Sequence, residues 1–374
     1  MGNIARLIYA ASEYSADLLY GCGFAAPDPF IWFETEAGKR SIIVSALEYS
    51  RALTEVKDDV TVYRQDQFID AGHPEADALI VAMAQKNEIE QFAVPEAFPL
   101  GLAEKLRAYG IKLDVVDGSF FSEREFKCND EIERIRLALR LTTAAMQRAA
   151  AIISEAEISD TNELIWQGRG LTSEIVRAEI NITLIRGGGF SDSTIVAGGL
   201  DGSQPHNRGT GPLFAHQPIV VDIFPRMADN GYWGDMTRTF VKGTPPDIVK
   251  RAFAAVKMAR DRAKELIKPG AIPAEIHQFA LDILNESGFS TGQNEQGHYG
   301  FFHGLGHGLG LDIHEAPRLS AANQTPLKGG EVITVEPGLY YPEWGGVRLE
   351  DVIVVTANGC ECLTECETKL GVRN

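Results

Sequence analysis

Four acidic side chains stand in this sequence where a buried strand calls for apolar ones. Asp222 follows Ile219-Val220-Val221, and Glu336 follows Val332-Ile333-Thr334-Val335. Asp235 and Glu350 stand in two further β-rich runs, Gly231 to Phe240 and Gly346 to Val355. Aspartate is depleted from strands because its side chain competes for backbone hydrogen bonds, and an unpaired carboxylate in a dry pleat is costly. The acids come in pairs, 13 residues apart in the first and 14 in the second. Asp229-Asn230-Gly231 turns the first run back on itself, and Pro342 with Gly345-Gly346 turns the second. Folding back brings each pair of carboxylates close. They repel, and a bound cation removes the penalty.

Between the pairs lies the segment His298 to His314, which holds His298, His303, His307 and His314, four of the chain's 8 histidines. Glycines at 300, 304, 306, 308 and 310 leave its backbone bare and able to approach a ligand. Four carboxylates with one imidazole make a hard, mostly oxygen donor set. It suits manganese, cobalt or iron, with zinc possible, better than it suits a closed structural zinc site. His303 and His307 are four apart, like the ligands of a zinc-protease helix, but Gly304 stands where that motif needs its glutamate. An α/β-hydrolase nucleophile is not expected. Gly187-Gly188-Gly189 lacks the strand and downstream lysine of a phosphate loop, and Cys360, Cys362 and Cys366 have no second ligand cluster to complete a metal knuckle.

The elements around these residues read as follows. The 374 residues exceed one ordinary core, so two domains are expected. Residues 1–125 read as a smaller mixed α/β unit. A hairpin is expected from Phe30-Ile31-Trp32-Phe33 and Ser41-Ile42-Ile43-Val44, with strands near 60–63, 92–94 and 113–116 and a helix over 99–109. Residues 126–374 form the second domain. It opens on a long amphipathic helix over 129–155, with Asn129 or Asp130 as its cap. Helices at about 172–180, then at 246–267 and 273–287, each lead to one of the acidic strand pairs, so two related halves facing one site are expected.

Composition narrows the partners. Lys plus Arg number 35 against 52 Asp plus Glu, a formal charge of −17. That field repels a phosphate backbone, so nucleic acid is not a partner. No run of 18 apolar residues exists to span a membrane. Glu13 interrupts the opening residues where a signal peptide would stay apolar, and five cysteines make an odd count for a disulfide framework, so a cytoplasmic setting is expected.

Four motifs then carry a resemblance. They are Gly231-Tyr232-Trp233-Gly234-Asp235-Met236-Thr237-Arg238-Thr239-Phe240, His303-Gly304-Leu305-Gly306-His307 through Asp312-Ile313-His314-Glu315, Thr334-Val335-Glu336-Pro337-Gly338-Leu339-Tyr340, and Val347-Arg348-Leu349-Glu350-Asp351. The chain resembles the two-domain metallopeptidases of the creatinase, Xaa-Pro aminopeptidase and prolidase group. The resemblance implies an α+β architecture: a C-terminal pita-bread catalytic domain preceded by a creatinase-like N-terminal domain. It implies two divalent ions, manganese first. Asp222 would hold one and His307 with Glu336 the other, and Asp235 and Glu350 would bridge them. His206, His303 and His314 would line the substrate cleft, His206 with a catalytic part, and Arg348, near the bridging glutamate, would bind substrate. Glu336 would shuttle a proton, and His314 or His303 would stabilise the oxyanion of the scissile carbonyl. The substrate would be a small peptide with proline second, cut by a dipeptidase or an aminopeptidase, in a homodimer. The same fold also serves a metal-free amidinohydrolase and non-catalytic binding proteins, but this chain keeps all five ligands. Two departures stand out. Phe224 occupies a place the family gives to glycine, and the Asp222–Asp235 hairpin is about two residues longer. Tyr232-Trp233 and the longer tip are expected to reshape the cleft entrance.

Overall fold

The computed structural model describes residues 4–70, 74–295 and 297–372. The chain divides into two compact units, Met1–Arg124 and Glu125–Asn374.

The first unit is a six-stranded mixed sheet of β1 (Ile4–Ala10), β2 (Phe30–Glu34), β3 (Arg40–Val44), β4 (Val60–Arg64), β5 (Gln91–Val94) and β6 (Lys112–Val115), in the order β4-β3-β2-β1-β5-β6. The run Phe30 to Phe33 is apolar throughout because both faces of the sheet are covered. Ile31 and Phe33 pack with helices α3 (Ala76–Lys86) and α4 (Leu100–Ala108), while Phe30 and Trp32 pack with α1 (Ala16–Cys22), α2 (Tyr49–Glu55), Phe120 and Phe121. Alternation along a strand sends neighbours to opposite cores. The expected hairpin is present, with Ile31 opposite Ile43.

The second unit opens on α5 (Asn129–Glu155). Its buried stripe includes Ile135, Leu139, Thr142, Met146, Ala149 and Ile153, as the three-and-four spacing predicts. The cap differs from expectation. Cys128 is the N-cap, and Glu131 accepts its backbone N–H at 2.9 Å, so Asn129 and Asp130 already lie inside the first turn. Next come α6 (Ser173–Arg186), β7 (Ile195–Gly198), β8 (Ile219–Ile223) and β9 (Met236–Lys242). After α7 (Asp247–Leu266) and α8 (Pro273–Glu286) come β10 (Gly306–Gly308), β11 (Glu315–Leu319), β12 (Val332–Val335), β13 (Gly338–Tyr341) and β14 (Gly345–Arg348). The unit ends with β15 (Asp351–Val355), β16 (Cys360–Cys362) and β17 (Gly371–Val372).

These elements make two halves. In one, α5 and α6 cover the sheet β7-β8-β9-β17; in the other, α7 and α8 share a core with the sheet β11-β10-β12-β15-β16. The halves meet at a seam where Glu350 N–H donates to the Thr237 carbonyl (3.1 Å) and Arg348 and Thr239 exchange two hydrogen bonds. No helix of the described residues is long and apolar enough to cross a membrane.

Candidate metal centre

Only one of the four acids lies within a strand. Asp222 is in β8, while Asp235 immediately precedes β9, Glu336 follows β12 and Glu350 precedes β15. Asp222 pairs with Thr237 across the β8–β9 ladder, and Asp235 is two residues before Thr237, so the two aspartates share a face. The second pair is spaced by an inserted hairpin: β13 and β14 pair with Tyr341 opposite Gly345, and Glu336 and Glu350 stand at its base.

His307 is the middle residue of β10, and its neighbours explain the Gly-His-Gly spelling. A Cβ on Gly306 would lie 1.9 Å from the Thr334 carbonyl oxygen, and one on Gly308 would lie 2.1 Å from that of Ala316. Any side chain at either position would push the strand out of the sheet. His307 N–H donates to Thr334 Oγ1 at 3.0 Å, which locks the register.

The side chains converge. One ligand atom from each of Asp235, His307 and Glu350 lies within 4.8 Å of the other two, and all three residues are buried. His307 Nε2 lies 3.3 Å from Glu336 Oε1 and 3.7 Å from Asp235 Oδ2. Its Nδ1 lies 3.1 Å from the Gly308 carbonyl oxygen, a contact that places the ring proton on Nδ1. Nε2 is then a bare acceptor facing two carboxylates. Acceptor against acceptor is repulsive unless a cation lies between them, and a backbone partner on the far nitrogen is how metal-binding histidines are oriented. Burial, together with the Arg318, His314 and His303 charges, holds His307 down to about 3, so its lone pair is free at neutral pH.

The carboxylates point to the same conclusion. Burial, then the charges of Glu350, Asp222 and Glu336, raises the Asp235 carboxyl well above the ordinary range. Burial, then Glu336 and Asp222, does the same to Glu350. Glu336 is pushed up to about 7, by burial first and by Asp222, against the lowering influence of Arg348. Arg348 is the cation that acts on all three carboxyls, and one guanidinium cannot balance four acids in a dry site. The donor set, its burial and its surplus negative charge fit divalent ions.

Arg348 differs from expectation. It is 4% exposed and spent on protein partners: Nη2 donates to Asp222 Oδ2 (2.8 Å), Nη1 to Tyr340 Oη (2.9 Å) and the Pro205 carbonyl (3.2 Å), and Nε to Thr237 Oγ1 (3.1 Å). Its carboxylate partner is Asp222, so it is a brace for that ligand and not a hook open to substrate. Asp222 Oδ1 also accepts from Thr237 Oγ1 at 2.9 Å.

Of the cleft histidines, His314 and His206 are exposed, and His314 meets the His307 ring edge to face at 4.4 Å. His206 lies close enough for its charge to bear on both His303 and His314. His303 is tied at both ring nitrogens, Nδ1 to the Gly304 carbonyl (2.7 Å) and Nε2 to Tyr340 Oη (3.0 Å). Burial, then Arg348, lowers His303 to about 3, and burial lowers His314.

Three supporting residues carry no local signal of their role: Thr237, Tyr340 and Arg238. Arg238 is 1% exposed; it donates to the carbonyls of Thr237 (2.9 Å) and Glu350 (2.6 Å) and to Asp351 Oδ1 (2.9 Å). Lys264 Nζ reaches the other Asp351 oxygen at 2.7 Å, so a buried ion cluster fixes the backbone under Glu350. The run Gly288-Phe289-Ser290-Thr291-Gly292 does spell a hydrolase nucleophile motif, yet it follows a helix, α8, and lacks the strand-to-helix turn that exposes the nucleophile.

Residues 133–357 match the model of metallopeptidase family M24. The chain is 34% identical over 249 residues to the Xaa-Pro dipeptidase of Pyrococcus furiosus, an alignment spanning 66% of this chain and 65% of that one. It is 32% identical to the Xaa-Pro dipeptidase of Pyrococcus horikoshii, over 75% of each chain. Among solved structures, the prolidase of Pyrococcus horikoshii superposes with a TM-score of 0.81 at 27% identity, covering 98% of this chain and 95% of that one. The X-Pro aminopeptidase of Thermotoga maritima gives 0.83 at 25% identity, covering 99% and 98%. The chain belongs to metallopeptidase family M24. It is a hydrolase of that family, with the family's pita-bread fold in its C-terminal unit.

Proposed function

We propose that this enzyme hydrolyses the bond between an N-terminal residue and a following proline, using two divalent ions held by Asp222, Asp235, His307, Glu336 and Glu350. The observation that carries the reading is the bare Nε2 of His307 facing Asp235 and Glu336 across 3.7 and 3.3 Å. The substrate comes from the relatives, whose names specify Xaa-Pro dipeptidase. When bound, two such ions polarise the carbonyl and supply hydroxide near neutral pH, from water whose pKa falls to about 7.

The chain's own residues do the rest. Glu336 takes the proton of the attacking water and passes it to the proline nitrogen as the bond breaks. His314, exposed beside His307, donates to the carbonyl oxygen as it gains charge. His303 is committed to Gly304 and Tyr340, which leaves it a wall of the cleft, with His206 near it and near His314. Arg348 holds Asp222 and does not touch substrate.

Manganese, a homodimer and a cytoplasmic setting complete the proposal; all five cysteines are free, which suits a reducing compartment. Dipeptides are the preferred substrates, since the step from Glu336 to Glu350 is a short hairpin with no inserted loop. Rates on Xaa-Pro, Xaa-Pro-Yaa and a longer peptide test this. Faster cleavage of the longer peptides makes the enzyme an aminopeptidase, and no cleavage of any Xaa-Pro bond overturns the substrate.

A further inference from the structure

The returning arm of the Asp222–Asp235 hairpin is tied to the loop that carries His314. Trp233 makes two hydrogen bonds to consecutive carbonyls there: its backbone N–H donates to Gly310 (3.0 Å) and its indole Nε1–H to Leu311 (3.0 Å). The loop is braced from its other end. Asp312 N–H donates to Glu315 Oε1 (3.0 Å), and Glu315 Oε2 pairs with Lys127 Nζ (2.8 Å), with side chains only 8% and 2% exposed. The same arm is pressed against α5. Tyr232 Oη donates to Glu131 (2.7 Å), and a Cβ on Gly234 would fall 2.4 Å from Thr142 Oγ1. One end of the loop is His307 and the other His314, whose rings meet at 4.4 Å.

We propose that Trp233 is a positioning residue for His314: it clamps the 310–314 loop to the hairpin that ends in Asp235, so that His314 stays against the metal centre. The inference rests on the role given to His314 above. A loop is ordinarily the mobile part of a site, and a catalytic imidazole on one needs its backbone fixed from outside. Here the clamp is two hydrogen bonds from a single residue, and only the indole bond depends on its side chain. Trp233→Phe therefore removes one bond and keeps the apolar ring.

The test uses manganese-loaded enzyme and a double-mutant cycle of Trp233→Phe with His314→Ala. Trp233→Phe should lower kcat by about 3- to 10-fold, roughly one hydrogen bond's worth, with KM changed less than about 2-fold. In the His314→Ala background the same change should alter kcat by less than about 2-fold, because the two residues act through one element. Amide exchange across 310–314, with metal content measured alongside, gives a readout independent of turnover. It should quicken in Trp233→Phe while the metal stays at the wild-type level. Equal kcat losses in both backgrounds, or unchanged exchange in the loop, overturn the clamp. Wild-type turnover in His314→Ala would instead remove the role of His314, and the exchange result would still decide whether Trp233 holds the loop.

Discussion

The two halves of the C-terminal unit contribute one held acid and one open acid each. In the first half Asp222 is held and Asp235 is open; in the second Glu350 is held and Glu336 is open. The holding is crosswise. Arg348, from the second half, donates to Asp222, and Thr237, from the first, lies 2.8 Å from Glu350 Oε2 and 2.9 Å from Asp222 Oδ1. Among the described residues no comparable partner holds Asp235, and Glu336 has only a long 3.5 Å approach from Thr334. One hydroxyl proton cannot serve two carboxylates at once, so even the held pair is short of positive charge. The difference separates two tasks. Held acids fix the spacing between the halves, and open acids face His307 and wait for a cation.

The largest effect that can test this division is removal of the metal. Chelation should abolish turnover and readdition of manganese should restore it, with close to two ions per chain by elemental analysis; chelator-resistant turnover with no bound metal would refute the centre. Next is Glu336→Gln, an open acid that cannot shuttle a proton as the carboxamide. It should lower kcat by about 10²–10⁴-fold with the fold intact by circular dichroism. Third is the held pair. Thr237→Val, which removes the shared hydroxyl, should destabilise the protein by about 1–3 kcal/mol in urea titrations and weaken metal binding. If it leaves both unchanged, the acids are held some other way.

The smallest effect is that of pH on the metal-free protein. Glu336 titrates at about 7 in the folded chain against an ordinary value of 4.5, and Asp235 and Glu350 are raised too. Across that window the folded state keeps protons that the unfolded chain has lost. The contribution of these carboxyls to stability therefore falls as pH rises from 4.5 towards about 7, opposed up to about 6.5 by His303 and His307, which stay neutral in the folded chain. Metal loading should cancel or reverse the slope, since cations bind the deprotonated carboxylates. Glu331 sharpens the comparison. Burial also pushes it up to about 7, but it lies outside the donor set, so Glu331→Gln should flatten part of the slope without changing metal content. Urea midpoints at several pH values, with and without chelator, measure both.

Much of this architecture is local in cause and was readable from residue order. The period of Ile135, Leu139, Thr142 and Met146 specifies α5, and the alternation of Phe30, Ile31, Trp32 and Phe33 specifies a strand covered on both faces. The misfit acids and the glycines beside His307 were readable because propensity and steric room act within a few residues. Cys128 was missed as the cap because its role depends on Glu131 turning back to its N–H.

Other features had no local signature. Arg348 chooses Asp222 from 126 residues away, and Thr237 reaches Glu350 across 113. The commitment of His303 to Tyr340 spans 37 residues, and the hold of Trp233 on the Leu311 carbonyl spans 78. Sequence alone determined that acids and a histidine sit in or beside buried strands, where they cannot stay uncompensated. Only the tertiary structure decided which partners each one meets, because hydrogen-bond distance is a property of how two halves pack, and spacing along the chain does not constrain it.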